Sequence, residues 1–350
     1  MNGSTPLVSV IVPCRNERRY IIACLESIRS NDYPADRLEV LVVDGRSDDG
    51  TRELLQDYSE RWPGVQWLDN QARTAPAALN VGIQRSRGDV VMRMDAHCHY
   101  PKNYISVLVG WLERSGADNV GGTWRTLPGA DTPIARAIAA ALSHPFGVGN
   151  AHFRLGIAEP KWVDTVPFGC YRRSVFGRIG LFDEELIRNQ DDEFNQRLLR
   201  SGGRILLVPD ATIDYFARDS IGKLARMYYQ YGYFKPLAAK KAGRVGTLRQ
   251  AVPAAFVLFL MIILFLSIWK PGLGFAFLGA ASAYLAGMIV SGMTVVRRNG
   301  LRVAALTTVV FPVIHFSYAW GTLRGGIRLL FRRGAVPRPG ENTDGVPISR

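Results

Sequence analysis

Glycine-rich phosphate loops are missing from this 350-residue chain. The turn after the first apolar run reads PCRNE, and neither G-x-G-x-x-G there nor G-x-x-x-x-G-K-[ST] anywhere is present. A Rossmann-type dinucleotide turn and a P-loop are therefore excluded. Cysteine is scarce as well: Cys14, Cys24, Cys98 and Cys170 are scattered through a chain that is 47% apolar. That excludes a disulfide scaffold and a disordered chain, and predicts reduced thiols in a cytosolic compartment. Acid is nearly absent from the C-terminal part. Residues 1–216 hold 25 basic and 27 acidic side chains, 217–250 hold 8 and 1, and 251–350 hold 10 and 2. The +13 surplus is thus wholly C-terminal. The part long enough for a soluble domain is almost neutral, so nucleic acid is not an expected partner. A basic leader is also lacking before the apolar run 7–14, which reads as a strand and not as a signal peptide.

What is present in that acid-poor region is apolar length. Residues 251–269, 271–296 and 303–323 carry no charge, and each run is near the ~20 residues that cross a hydrocarbon core. The expected organisation is a catalytic domain over 1–216, a basic amphipathic segment over 217–250, a membrane domain with two or three transmembrane helices over 251–333, and a flexible tail over 334–350. The basic, tyrosine-rich 215–244 stretch suits the surface of anionic membrane lipids. This makes a multi-pass protein of the inner (cytoplasmic) membrane with its catalytic domain cytosolic. Three crossings would put Arg324, Arg328, Arg332 and Arg333 outside, against the positive-inside rule, whereas two crossings and a segment re-entering near Pro312 keep them inside. Gly279, Ala283, Gly287 and Ser291 form a small-residue stripe, read as packing within the chain or as a homo-oligomer contact between membrane helices.

Ahead of residue 217, short β-branched runs alternate with helical periodicity. Strands are predicted at 8–12, 38–43, 65–68 and 90–94, with helices around 21–28, 51–60 and 75–86. This β-α-β-α-β-α-β order is an α/β, doubly wound sheet. Ligands of such sheets bind beyond the carboxyl ends of the strands. There the sequence sets Pro13, Arg15, Asn16 and Glu17 after the first strand, Asp44 after the second, and Asp95 and His97 after the fourth. Any one acid could be a simple turn former. Three strand ends in register favour a site.

Five stretches, VSVIVPCRNE, LEVLVVDGRSDDGT, APAALNVGIQRSRGDVVMRMDAH, PFGCYRRSVFGRIGLFDEEL and NQDDEFNQRLLRSGG, resemble family 2 glycosyltransferases of the GT-A fold. They are closest to the membrane-anchored succinoglycan-biosynthesis type and cover residues 7–235 in the family's order. The resemblance implies a Rossmann-like mixed sheet followed by C-terminal interfacial and transmembrane helices. It further implies an inverting hexosyltransferase that moves one sugar from a nucleotide-sugar donor, UDP-linked by the family's habit, to a lipid-linked or glycan acceptor in polysaccharide or glycolipid biosynthesis. By the same resemblance Pro13, Arg15, Glu17, Asp44, Arg73 and Asp95 face the nucleotide, with Asn80 beside its diphosphate. Asp95 and His97 replace the usual Asp-x-Asp and would hold Mn²⁺ or Mg²⁺; zinc is disfavoured because no second ligand pair stands at finger spacing. Asp191 aligns with the catalytic base. Asp192 and Glu193 are alternatives, although Asp192 is read first as part of a solvated helix N-terminus. Phe168, Gly169, Asp192, Arg218 and Arg226 are expected on the acceptor side. Asp49 is read first as a turn or cap residue, and Trp124 and Trp162 first as core. The missing Gln-x-x-Arg-Trp disfavours processive polymer extrusion. A polyprenyl-phosphate monosaccharide synthase and an inactive nucleotide-sugar-binding membrane subunit are the alternatives to this reading.

Overall fold

The computed structural model describes residues 5–243 and 248–331. Arg332, Arg333, the 334–350 tail and part of the basic segment lie outside the described residues. The described residues form two compact units, the first built from 5–125 and 156–215 and the second from 126–155, 216–243 and 248–331. Residues 126–155 thus cluster with the C-terminal helices.

In chain order the elements of the first unit begin β1 (Val8–Cys14), α1 (Ile21–Arg29), β2 (Leu38–Asp44), α2 (Thr51–Arg61), β3 (Val65–Asp69), α3 (Ala75–Arg85) and β4 (Val90–Arg93). These are the predicted elements, displaced by a residue or two at their ends. Parallel pairing sets the order β3-β2-β1-β4. β1 and β2 are buried almost throughout, as their unbroken Val, Ile and Leu runs require of central parallel strands. The chain then continues through β5 (Cys98–His99), α4 (Tyr104–Ser115) and β6 (Asn119–Leu127).

Next come α5 (Pro133–Leu142), α6 (Pro145–Val148), α7 (His152–Leu155), β7 (Lys161–Trp162), β8 (Cys170–Arg172), α8 (Ser174–Ile179), α9 (Gln190–Arg200) and β9 (Ile205–Phe216). β8 pairs antiparallel with β4 and β6, and β9 with β5 and β7, so the sheet is mixed. Its full order is β3-β2-β1-β4-β8-β6-β9-β5, with β7 on the flank of β9. The core packs α1 and α4 onto the sheet through Ile21, Leu25, Ile28, Tyr104, Leu108 and Leu112.

The second unit holds α5 to α7 together with α10 (Ile221–Lys241), α11 (Leu248–Leu266) and α12 (Gly272–Phe331). α12 is two arms joined at Gly300, whose φ of 80° and ψ of 164° are not helical. Unbroken, its 60 residues would run about 90 Å, some three times a hydrocarbon core; the break makes two arms of spanning length. α11 and the first arm expose Phe259, Ile262, Phe265, Phe275, Leu285 and Ile289. The second arm instead buries Val303, Val310, Phe311 and Ile314 against Ile138 and Leu142 of α5 and Leu224 and Met227 of α10.

α10 and the second arm meet backbone to backbone. A Cβ at Gly321 would collide with Tyr229 O, and one at Gly325 with Tyr233 O. Arg324 Nη1 donates to Tyr229 Oη at 3.0 Å, and Arg328 donates to Tyr233 Oη. The small-residue stripe divides: Ser291 is buried and Gly287 lies under Phe146, whereas Gly279 has open space around it. A cavity of about 480 Å³ in this unit is lined by Arg136, Arg298, Asn299 and Ser143, among others, and by none of the predicted site residues.

Candidate active site

Loops at the carboxyl ends of β1, β2 and β4 carry the predicted residues, and their shape follows from local hydrogen bonding. Pro13 is half-buried in β1. Just beyond, Asn16 takes a φ of 52°. Its backbone N–H donates to Ser47 Oγ at 2.6 Å, its Nδ2 donates to Asp48 Oδ1 at 2.5 Å, and Asp48 N–H donates back to its Oδ1 at 2.8 Å. An asparagine meets both demands of this position, a left-handed backbone and an amide that completes neighbouring turns. The loop after β1 is thereby laced to the loop after β2.

Asp44 is fully buried. It accepts from Ser47 N–H at 3.0 Å and Ser47 Oγ at 2.5 Å, and Arg52 Nε stands 3.7 Å away. Its carboxylate therefore shapes the turn at Gly45, and a ligand N–H would share oxygens already engaged. Asp49 accepts from Thr51 N–H at 3.1 Å, Thr51 Oγ1 at 2.5 Å and Arg18 N–H at 3.3 Å. Burial acts to raise its carboxyl, but these hydrogen bonds hold it below the usual value. It closes the turn that leads into α2, whose N-cap is Gly50, in keeping with the turn reading of its position before Thr51.

Glu17 N–H donates to Thr51 Oγ1 at 3.0 Å, and Glu17 Oε1 lies 3.8 Å from His97 Nδ1. Arg15 Nη1 reaches Arg73 O at 3.5 Å, and the Arg73 side chain is exposed on a backbone with φ of 59°. Asn80 departs from expectation. Its Nδ2 donates to Phe182 O and Glu184 Oε1, both at 2.9 Å, and Phe182 N–H donates to its Oδ1 at 3.0 Å. The amide holds the 180–184 loop to α3 instead of facing a diphosphate.

The centre of the site is a side chain that the motif reading passed over. Arg93, buried at the end of β4, donates from Nε and Nη2 to Asp95 at 2.7 and 3.0 Å, and from Nη1 to both oxygens of Asp191 at 2.7 and 2.6 Å. Burial opposes its charge, but the two carboxylates raise its pKa further still. For Asp191, burial dominates and pushes the carboxyl up; Arg93 pulls it down and Asp95 adds a smaller upward push. The signal was in the sequence. A lone arginine inside the apolar run VVMRM has to find buried counter-charge.

Asp191 owes its direction to a turn. Asn189, with φ of 64°, precedes α9, whose first turn carries Asp191, Asp192 and Glu193. Glu193 is buried and accepts from Arg197 at 2.8 and 2.9 Å, while Arg197 also holds Leu181 O at 2.9 Å. Glu193 is thereby tied through Arg197 to the 179–181 loop. Asp192 is half-buried in the same turn.

Phe168 and Gly169, expected to meet an acceptor, are both buried. The Phe168 ring stacks on Trp124 at 5.2 Å and lies under Arg93, whose guanidinium carbon is 5.2 Å from its centre. Trp124 stacks in turn on Tyr215 at 4.3 Å. Gly169 is required by internal crowding, since a Cβ there would meet Tyr171 at 2.5 Å. Trp124 packs on the core as expected. Trp162 does not: it is 45% exposed, with Arg204 over its ring at 3.7 Å. Arg218 and Arg226 belong to the second unit, the former half-buried before α10 and the latter exposed on it.

Among the described residues no three His, Cys, Asp or Glu side chains converge as a metal cage. Asp95 and His97 nevertheless suit a divalent cation. One buried guanidinium between two carboxylates leaves negative charge in excess, and a carboxylate that accepts two hydrogen bonds retains further lone pairs. Ions of the Mg²⁺ class are commonly held by one or two protein ligands, with substrate phosphates supplying the rest.

Comparison with known proteins bears on the family and the fold. The family model described as glycosyl transferase family 2 matches residues 9–180. A succinoglycan biosynthesis protein, ExoA, from Rhizobium meliloti (strain 1021) is 32% identical over 248 residues, 70% of this chain and 74% of that protein. A dolichyl N-acetyl-alpha-D-glucosaminyl phosphate 3-beta-D-2,3-diacetamido-2,3-dideoxy-beta-D-glucuronosyltransferase from Methanococcus voltae is 26% identical over 67% of this chain and 74% of its own. Among solved structures, the mannosyltransferase PcManGT from Pyrobaculum calidifontis, in complex with GDP-Man and Mn²⁺, superposes with a TM-score of 0.57 at 21% identity, covering 91% of this chain and 88% of that one. The mixed sheet is thus the GT-A fold, and the chain belongs to glycosyltransferase family 2.

Proposed function

We propose that this glycosyltransferase moves one sugar, with inversion, from a UDP-sugar to a hydroxyl of a lipid-linked or glycan acceptor at the cytosolic face of the inner membrane. The observation that carries the reading is the pairing of Asp95 and Asp191 through Arg93. It sets a carboxylate suited to the donor's diphosphate beside one suited to take a proton. Asp191 accepts the proton of the acceptor hydroxyl as its oxygen forms the bond to the anomeric carbon. The bond from that carbon to the diphosphate oxygen breaks on the opposite side, and the nucleoside diphosphate departs. A single in-line displacement inverts the anomeric centre.

Pro13, Arg15, Glu17, Asp44 and the exposed Arg73 line the rim where base, ribose and phosphates would lie. Mn²⁺ or Mg²⁺ held by Asp95 and His97 would neutralise charge on the phosphates as a Lewis acid. Asp192 and Phe168 to Gly169 border the acceptor side, and Arg218 and Arg226 would meet lipid phosphate. The apolar faces of α11 and the first arm of α12 support membrane attachment.

Calorimetry with UDP and GDP, with and without Mn²⁺, on the detergent-purified protein tests the donor class. Tight UDP binding that is weakened by Asp95→Ala is expected. Folded protein that binds neither nucleotide would remove the reading. Asp191→Asn is expected to lower transfer by roughly 10²–10⁴-fold and to leave UDP affinity unchanged. Wild-type rates in that variant would remove the base assignment.

A further inference from the structure

Both carboxylates assigned above depend on one side chain. Arg93 on β4 and Asp191 on α9 are 98 residues apart in sequence. Among the described residues Arg93 is the one hydrogen-bond donor to the Asp191 carboxylate. Its guanidinium edge is fixed by Asp95 and its face lies over Phe168, which is itself clamped by Trp124. A planar fork with a stacking face suits this place, and an ammonium group cannot span both partners. Without the arginine, the Asp191 carboxylate loses the donor that fixes its direction.

We propose that Arg93 is a positioning residue for transfer, tying the base to the donor-side carboxylate and holding it aimed at the acceptor hydroxyl. One nitrogen contacts both Asp191 oxygens, so each oxygen keeps a lone pair for the incoming proton. The inference rests on the reading of Asp191 as the base.

The test uses full-length protein in detergent with Arg93→Met, Arg93→Lys, Asp191→Asn and the Arg93→Met/Asp191→Asn pair. Turnover is followed as nucleotide release from whichever of UDP-glucose, UDP-galactose, UDP-N-acetylglucosamine and GDP-mannose the wild type uses. UDP affinity by calorimetry and melting by circular dichroism accompany it.

Arg93→Met is expected to lower kcat about 100-fold with donor KM and UDP affinity within about threefold. Added to Asp191→Asn it is expected to cause no further loss, because both changes act on one group. Arg93→Lys, which keeps the charge, should recover about tenfold over Arg93→Met. Where Arg93→Met does not fold, Arg93→Lys carries the test, with about a tenfold loss of kcat at unchanged KM. A kcat within threefold of wild type, losses that multiply in the pair, or UDP affinity falling in step with kcat would overturn the inference while Asp191→Asn stays inactive and the base reading stands. A wild type that turns over none of the four donors overturns the function reading and the inference with it.

Discussion

Among the described residues, five other than glycine hold a positive φ: Asn16, Arg46, Arg73, Phe168 and Asn189. Four of them lie in or directly beside the candidate site, where the sheet's turns are forced into an uncommon region. Asn189 is the one that matters most for chemistry, because its turn sets where α9 begins and so where Asp191 points. Asn189→Gly should keep both stability and turnover, while Asn189→Val should cost about 1–2 kcal/mol and lower kcat; melting temperature and initial rates check this. Asp191, raised mainly by burial, loses its charge as pH falls through a value above the ordinary 3.8. The acid limb of kcat is therefore expected above the ordinary aspartate value and should vanish with the residual activity of Asp191→Asn, as a pH–rate profile would reveal. At this scale the strand-end acids were legible from position alone. Arg93 showed only as a lone charge in an apolar run, without its partners, and Asn189 not at all, since counter-charge and a left-handed turn are three-dimensional demands. Asn80 misled for the same reason: its neighbours in sequence say nothing of Phe182.

The parallel half of the sheet could be read almost residue by residue, because buried central strands are continuous apolar runs and crossover helices keep a 3.6-residue period. The antiparallel half could not. β6 contains Gly121 and Gly122, β8 is three residues long, and β9 carries Pro209 and a surface-facing alternation, all weak strand signals. Apolar length found α11 and α12, but length could not distinguish an arm exposed along its side from one covered by neighbouring helices. The second arm is covered on one side, pressed onto α10 at Gly321 and Gly325, and leaves Val309, Trp320 and Ile327 exposed. Gly321→Leu should therefore push the two helices apart and destabilise the second unit by roughly 1–3 kcal/mol, read as a lower melting temperature in detergent. The same change at Gly279, which faces open space, should be tolerated.

At the scale of the molecule, the described residues pass between the two units three times, at residues 125, 155 and 215. Composition shifts reveal only the last of these, because α5 is an alanine-rich helix with little to mark it as a partner of residues 303–314. A truncation after residue 243 is expected to expose Ile138 and Leu142 of α5, which the second arm covers, and to aggregate or bind a hydrophobic dye. Size-exclusion chromatography of that fragment decides it, and a monodisperse, dye-silent fragment would contradict the prediction. The interleaving also bears on how the protein is made. The apolar face of α5 leaves the ribosome about 160 residues before the segment that covers it. At roughly 5–20 residues per second that is on the order of ten to thirty seconds. Throughout that interval the nascent chain carries an uncovered hydrophobic helix, which makes it a client for chaperones well before its first strongly apolar helix has been synthesised.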